Sequence, residues 1–173
     1  MSNKDLSDLV RTIPDFPLPG IQFKDITTLL GNGPAFKQVI TSFADRYANR
    51  GIEAVAGVES RGFIFSAPLA YELGVGLIPI RKSGKLPAET YQIEYELEYG
   101  TNKLEIHRDA FKPGARVLII DDLLATGGTI AAASNLIEQV GGIVEELAFL
   151  IELNFLHGRD RLKKYPIFSL IHY

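Results

Sequence analysis

The sequence predicts an α/β protein, built on a mostly parallel twisted sheet flanked by helices. Three observations predict it. From residue 34 onward, short apolar runs alternate with segments of helical periodicity. One run, VLII at 117–120, is apolar throughout, as a strand covered on both faces requires. Turns rich in glycine and small polar residues, SRG at 60–62 and TGGT at 126–129, stand where strands should pass into helices.

Taken in order, residues 6–13 are expected to form a short helix with Leu6, Leu9, Val10 and Ile13 on one face. PDFPLPG at 14–20 follows, and its three prolines and glycine make it a stiff, shaped loop. Pro34 opens a helix. Phe36, Val39, Ile40, Phe43 and Tyr47 keep its spacing, and Gly51 stops the pattern. Residues 54–58 read as a short buried strand. SRG turns it into a helix ending near Leu73 and Gly74, and 76–80 is the next strand.

The pattern changes between 82 and 107. KSGKLPAET is loose and polar. Then Tyr91, Ile93, Tyr95, Leu97 and Tyr99 alternate with Gln92, Glu94, Glu96 and Glu98, which is the period of a half-exposed strand. A turn at 100–102 and the apolar Leu104 and Ile106 complete a hairpin, expected to stand off the main sheet. After the strand at 117–120, a helix should run from 129 to 140, closed by Gly141 and Gly142. Strands at 148–153 and 167–171 finish the sheet. No repeat or linker divides the 173 residues, so one domain is expected over 1–173. Ligands in such sheets bind beyond the carboxyl ends of the strands, at a switch in strand order.

Bulk properties narrow the function. A formal net charge of -3 gives no general attraction to nucleic acid or to an anionic membrane. The absence of cysteine excludes disulfides, thiolate nucleophiles and cysteine metal sites. His107, His157 and His172 have no ligand spacing, so no structural zinc is expected. The first residues, MSNKDLSDLVRTIPDFP, lack the apolar core of a signal peptide, and no run approaches the length of a membrane span. A cytoplasmic location is the expectation.

The chemistry concentrates in VLIIDDLLATGGT, residues 117–129. Glycines let backbone N–H groups approach an anion, and a helix N-terminus adds unpaired donors and partial positive charge. Ala125, Thr126, Gly127, Gly128 and Thr129 thus read as a phosphate cradle. A tight turn with a threonine N-cap would explain TGGT alone. It leaves Asp121 and Asp122 unexplained, because carboxylates at a buried strand end are costly unless used. Acids beside a phosphate loop suit a sugar, whose vicinal hydroxyls they can accept from, or a cation shared with phosphates. Elsewhere the residues alone leave blander readings open. Arg61 could be a surface ion pair, Arg81, Lys82 and Lys85 a solvated basic edge, Glu98 a solvent carboxylate, and Phe23 a core residue.

The 117–129 segment resembles the PRPP-binding signature of the type I phosphoribosyltransferases. PDFPLPGIQFKDITTLL, GVESRGF, IRKSGKLPAET and YELEYG extend that resemblance over the full chain. It implies the type I phosphoribosyltransferase fold, with residues 1–33 a helix plus base-binding hood and 82–107 a flexible lid hairpin. It implies conversion of adenine and PRPP to AMP and pyrophosphate by a homodimer. Mg²⁺ would be held mainly through PRPP, without a dedicated protein cage. By position, 125–129 would hold the 5′-phosphate and Asp121 and Asp122 the ribose. Glu59, Ser60, Arg61, Arg81 and Lys85 would meet pyrophosphate, with Arg61 and Lys85 acting in catalysis. Glu98 would handle the purine proton, Tyr99 would face the site from the lid, and Gln22, Phe23 and Lys24 would bind adenine. Lys24 stands where some members carry Arg, which matters little if only its main chain reads the base. Two alternatives stay open at this point: the same transfer to another base, and a PRPP-sensing regulatory protein that binds nucleic acid.

Overall fold

The computed structural model describes residues 3–96 and 101–173, so Glu98 and Tyr99 lie outside the described residues. The chain divides into two compact units, 1–43 and 44–173, the division falling within one helix.

The first unit holds α1 (Asn3–Asp8), β1 (Arg11–Pro14), β2 (Gln22–Asp25), α2 (Thr27–Leu30) and the start of α3 (Gly33–Tyr47). The helix expected over 6–13 ends early. Residues 11–14 form a strand antiparallel to β2, with Ile13 opposite Phe23 and Thr12 opposite Lys24. Pro14 disfavours helical geometry at Ile13, and the β-branched Thr12 and Ile13 favour an extended chain. Arg11 and Asp25 form an ion pair between the two strands. The Asp25 carboxylate also caps the next turn, accepting from the Thr27 N–H at 2.9 Å and its hydroxyl at 2.7 Å. Together, Arg11 first and then Thr27 hold its pKa down to about 2.

The second unit holds β3 (Ala54–Val58), α4 (Gly62–Leu73), β4 (Gly76–Lys82), β5 (Thr90–Glu96), β6 (Thr101–His107), β7 (Arg116–Leu124), α5 (Gly128–Val140), β8 (Ile143–Glu152) and β9 (Ile167–His172). Among the described residues these strands make one seven-stranded sheet, ordered β5-β6-β4-β3-β7-β8-β9. β4, β3, β7, β8 and β9 are mutually parallel. This is the expected mostly parallel sheet. Its apolar runs are buried: Val117, Leu118, Ile119 and Ile120 are at most 1% exposed. Strand residues alternate between the faces. Ala54, Ala56, Val117, Ile119, Leu147 and Phe149 join the cluster that contains Ile130, Ala133, Leu136 and Ile137 of α5. Gly57 faces the other way, close against Ser66 of α4.

The hairpin does not stand off this sheet. β6 pairs antiparallel with the end of β4, Arg81 opposite Glu105 and Lys82 opposite Leu104. Leu104 and Ile106 are buried in the α5-side core, so the hairpin's apolar face is sheet surface. β8 begins earlier than expected, at Ile143 rather than 148. Glu145 and Glu146 break the apolar pattern in the sequence. Glu146 is nonetheless buried, because Arg46 forks onto it at 3.0 and 2.8 Å and Arg50 adds a bond at 2.8 Å. Among the described residues, no helix is long and apolar enough to cross a membrane.

Candidate active site

From β3 the chain moves through α4 to β4 on one side, while β7 flanks β3 on the other. The carboxyl ends of β3 and β7 are therefore a topological switch point. There, a cavity of about 490 Å³ opens. Its walls are the 59–61 turn after β3 and residues 121–130 at the end of β7 and the start of α5, with Lys82, Tyr95 and Asn102 from the β4–β6 side.

The 121–129 wall differs from the simple loop read in the sequence. β7 runs on to Leu124, so both aspartates are strand residues. The N-cap of α5 is Gly127, at φ +81°, and no side chain caps the helix. The threonine N-cap that would have made TGGT merely structural is therefore not there. Thr126 precedes the cap, and Thr129 lies inside the first turn. An uncapped first turn on a cavity wall offers its N–H groups to an anion. Glycine is needed at 127 for two reasons. The positive φ disfavours a side chain, and a Cβ would stand 2.6 Å from the Gly158 carbonyl oxygen. Gly127→Ala is accordingly expected to lower stability by about 1–3 kcal/mol, read as a drop in Tm. An unchanged Tm would mean that the loop relaxes freely.

The 59–61 turn meets this wall closely. A Cβ on Gly62 would sit 3.1 Å from Asp121 Oδ1 and 3.2 Å from the Ile120 carbonyl oxygen, so Gly62 lets the two turns approach. Arg61, the N-cap of α4, places Nε 2.8 Å from Asp122 Oδ2. Asp122 is buried and Arg61 about half-exposed. Burial raises the Asp122 pKa, and Arg61 only partly offsets it. Burial, then the neighbouring Asp122 charge, pushes Asp121 well above the usual carboxylate range. Glu59 turns aside. It pairs with Arg81 Nε at 3.2 Å and accepts from the Lys82 N–H at 3.2 Å. Burial alone would raise its pKa, but those bonds outweigh it and leave it lowered.

The structure thus brings Glu59, Ser60, Arg61, Asp121, Asp122 and 125–129 onto one cavity. Arg81 and Lys85 do not line it. Arg81 bridges Glu59 and the Lys85 carbonyl, the latter at 2.9 Å. The Lys85 and Leu86 N–H groups are held at 2.8 Å by the buried carboxylate of Glu105. Gln22, Phe23 and Lys24 lie together on β2, within the first unit. Lys82, Tyr95 and Asn102 were not among the predicted site residues. Lys82 adjoins the basic pair, which was a usable signal. Tyr95 sits on the apolar side of the alternating strand, and nothing local marks it. Among the described residues, no three His, Cys, Asp or Glu side chains gather where they could hold a metal ion.

The cavity lies at the switch point of this sheet, and residues 26–171 match the phosphoribosyl transferase domain model. The chain belongs to the phosphoribosyltransferase family. Within it, the similarity runs to adenine phosphoribosyltransferases. The chain is 73% identical to the one from Chloroflexus aurantiacus, over the whole of both sequences. A crystal structure of the Thermoanaerobacter pseudethanolicus adenine phosphoribosyltransferase superposes with a TM-score of 0.96 at 54% identity, covering 99% of this chain and 100% of that one. The Saccharomyces cerevisiae enzyme, complexed with an imino-altritol bisphosphate and adenine, gives 0.92 at 40% identity, covering 97% of each.

Proposed function

We propose that the chain transfers the phosphoribosyl group of PRPP to adenine, forming AMP and pyrophosphate. The observation that carries this is one cavity joining an uncapped helix N-terminus, buried Asp122, partly buried Asp121 and the Arg61 turn. The similarity to full-length adenine phosphoribosyltransferases supplies the base. In the reaction a purine nitrogen forms a bond to the sugar C1. The bond from C1 to the pyrophosphate oxygen breaks, and its electron pair leaves with that oxygen. Such displacements pass through an oxocarbenium-like transition state.

Residues 125–129 take the 5′-phosphate through backbone N–H groups and the Thr126 and Thr129 hydroxyls. Asp121 and Asp122 accept from the ribose hydroxyls. The Glu59–Ser60–Arg61 turn takes the pyrophosphate, with Arg81 and Lys85 at its margin. Arg61 leaves Asp122 for the incoming phosphate, trading one anion for another. Gln22, Phe23 and Lys24 hold the base, Glu98 handles the purine proton, and Tyr99 closes on the site. Burial disfavours the charge on both carboxylates, and the Asp122 charge disfavours that of Asp121 further, so the pair fits a neighbouring cation. The site would thus suit Mg²⁺ brought with PRPP, with Asp121 and Asp122 as the residues that would border it. When bound, it neutralises charge on the pyrophosphate. A homodimer belongs to this reading, and exposed Ile64, Tyr71 and Leu77 give apolar surface for it. So does a cytoplasmic location.

Incubation with PRPP, Mg²⁺ and each of adenine, hypoxanthine, guanine and the pyrimidines, with products separated by chromatography, tests the function. AMP and pyrophosphate from adenine alone are expected. A nucleotide made faster from another base, or none from any, overturns the reading. Glu98→Gln is expected to lower kcat by about 10²-fold, with a smaller change in KM for PRPP, as loss of a proton-transfer group does. A full-rate variant would return Glu98 to the reading of a solvent carboxylate.

A further inference from the structure

The phosphate loop leans on a segment about thirty residues further along the chain. Between β8 and β9, two short 3₁₀ turns, Asn154–Leu156 and Gly158–Arg161, meet at His157, which adopts φ +52°. Their junction presses against the back of the loop. The Gly158 carbonyl oxygen occupies the place a Cβ of Gly127 would need, and a Cβ on Gly158 would overlap the Ala125 carbonyl oxygen. Fully buried Leu162 fills the space beside Gly127. Neither glycine can move far without displacing the other.

An ion pair ties this segment to the end of β8. Arg159 forks onto Glu152, Nε to Oε1 at 2.6 Å and Nη2 to Oε2 at 2.7 Å. Glu152 is 4% exposed and is held again by the Ser169 hydroxyl at 2.7 Å. It is also the residue of β8 in register with Leu124, where β7 runs into the loop. The Leu153 N–H bonds the Leu124 carbonyl at 3.0 Å. A fork of this kind fixes orientation as well as distance. From Glu152 the constraint passes through Arg159 and Gly158 to Gly127, at the N-cap of α5.

We infer that Glu152 and Arg159 are positioning residues of the phosphate loop: their paired hydrogen bonds seat the Gly158 carbonyl behind Gly127 and so set the shape in which the loop receives a 5′-phosphate. Neither side chain lines the cavity. The inference rests on the reading of 125–129 as the 5′-phosphate site. A purely structural ion pair would stabilise the fold without favouring one end of the substrate over the other. The segment bears directly on the 5′-phosphate end, at Ala125 and Gly127, whereas the pyrophosphate turn follows β3.

The test is calorimetric titration of the full chain with ribose 5-phosphate and, separately, with pyrophosphate and Mg²⁺. Arg159→Met is expected to weaken ribose 5-phosphate by about tenfold, as sub-ångström misplacement of binding groups does, and to leave pyrophosphate unchanged. Arg159→Lys, which keeps the charge and loses the fork, is expected to fall between parent and Arg159→Met. It carries the same test if the methionine variant does not fold. In turnover, KM for PRPP rises and kcat holds. Equal loss of both ligands reduces the ion pair to a fold stabiliser and overturns the inference. So does unchanged ribose 5-phosphate affinity in a variant whose parent binds it. A parent that binds no ribose 5-phosphate overturns the phosphate-site reading itself.

Discussion

Replacing Asp121 and Asp122 together by Asn is expected to lower kcat/KM by about 10²- to 10⁴-fold, from loss of two bonds to charged groups at roughly 1.5–3 kcal/mol each. The sheet is expected to survive. Asp121 is a native carboxylate kept where its charge is disfavoured, by burial first and by Asp122 second. Its folded pKa lies above the unfolded value near 3.8. Its contribution to stability is therefore fully present below that value and is lost as pH rises through the raised folded pKa. Asp121→Asn removes that slope. Denaturant melts of the free protein between about pH 4 and pH 7 should show Asp121→Asn gaining on the parent as pH rises. Asp122 differs, because its loss also strips Arg61 of a 2.8 Å partner. Asp122→Asn alone is expected to cost activity without the stability gain. A folded double variant that turns over at the parental rate would remove the pair from the chemistry.

That opposition between activity and stability was half visible in the sequence. Two adjacent acids after VLII are a local signal, and so is TGGT before a helical pattern. The burial of Asp122 and its bond to Arg61 are not local, since they arise where β3 and β7 lie side by side. The same distinction runs through the fold. β3, α4, α5 and the core of β7 were legible because the two strands are short apolar runs and the two helices run on to a closing glycine, Gly74 and Gly141. β8 was clipped because the charges of Glu145 and Glu146 looked like a loop. Their partners Arg46, Arg50 and Arg116 are distant in sequence. The β1 strand was misread as helix, although Pro14 after two β-branched residues was a usable warning. The alternation over 91–96 was read correctly, but the turn expected at 100–102 was not, since Thr101 and Asn102 already pair with Glu96 and Tyr95, and alternation cannot say which edge a ribbon joins. Tyr95 and Asn102 enter the cavity only because β6 pairs with β4.

Discrimination of adenine from hypoxanthine by about 10⁴-fold in kcat/KM is the second large effect expected, as sites that pair both polar edges of a ligand achieve. Adenine offers a donor at N6 and an acceptor at N1, and hypoxanthine offers the reverse. A backbone that presents one carbonyl and one N–H satisfies the first and opposes both groups of the second. β2 is suited to this. It pairs with β1 in a two-stranded ribbon, and extended backbone of this kind alternates N–H and C=O groups along each edge. The Lys24 ammonium is already engaged, 3.0 Å from the Thr12 hydroxyl. Phe23 packs edge-to-face with Phe16 at 5.2 Å, and Phe16, Leu18 and Ile21 are exposed nearby. Lys24→Ala is therefore expected to keep the preference for adenine. Phe23→Ala should raise KM for the base by roughly tenfold through loss of a stacking face. The measurement is kcat/KM for both bases in the parent and the two variants. Comparable parental values would end the backbone-pairing account, and lost selectivity in Lys24→Ala would transfer the reading to the side chain.

The pairing of Ala54 with Val117 brings together chain segments about sixty residues apart. β3 and β4, by contrast, pair Ala54 with Gly76, about twenty residues along the chain. Closing the longer loop costs entropy before any contact rewards it. The Arg61 turn is thus expected to exist on a nascent chain well before its opposite wall does. Substrate cannot template the early steps, because half of its binding surface does not yet exist. It can only capture the finished molecule and shift the equilibrium toward it. For this protein, ligand rescue of a destabilised variant should appear as slower unfolding, with the rate of folding left where the chain's topology sets it.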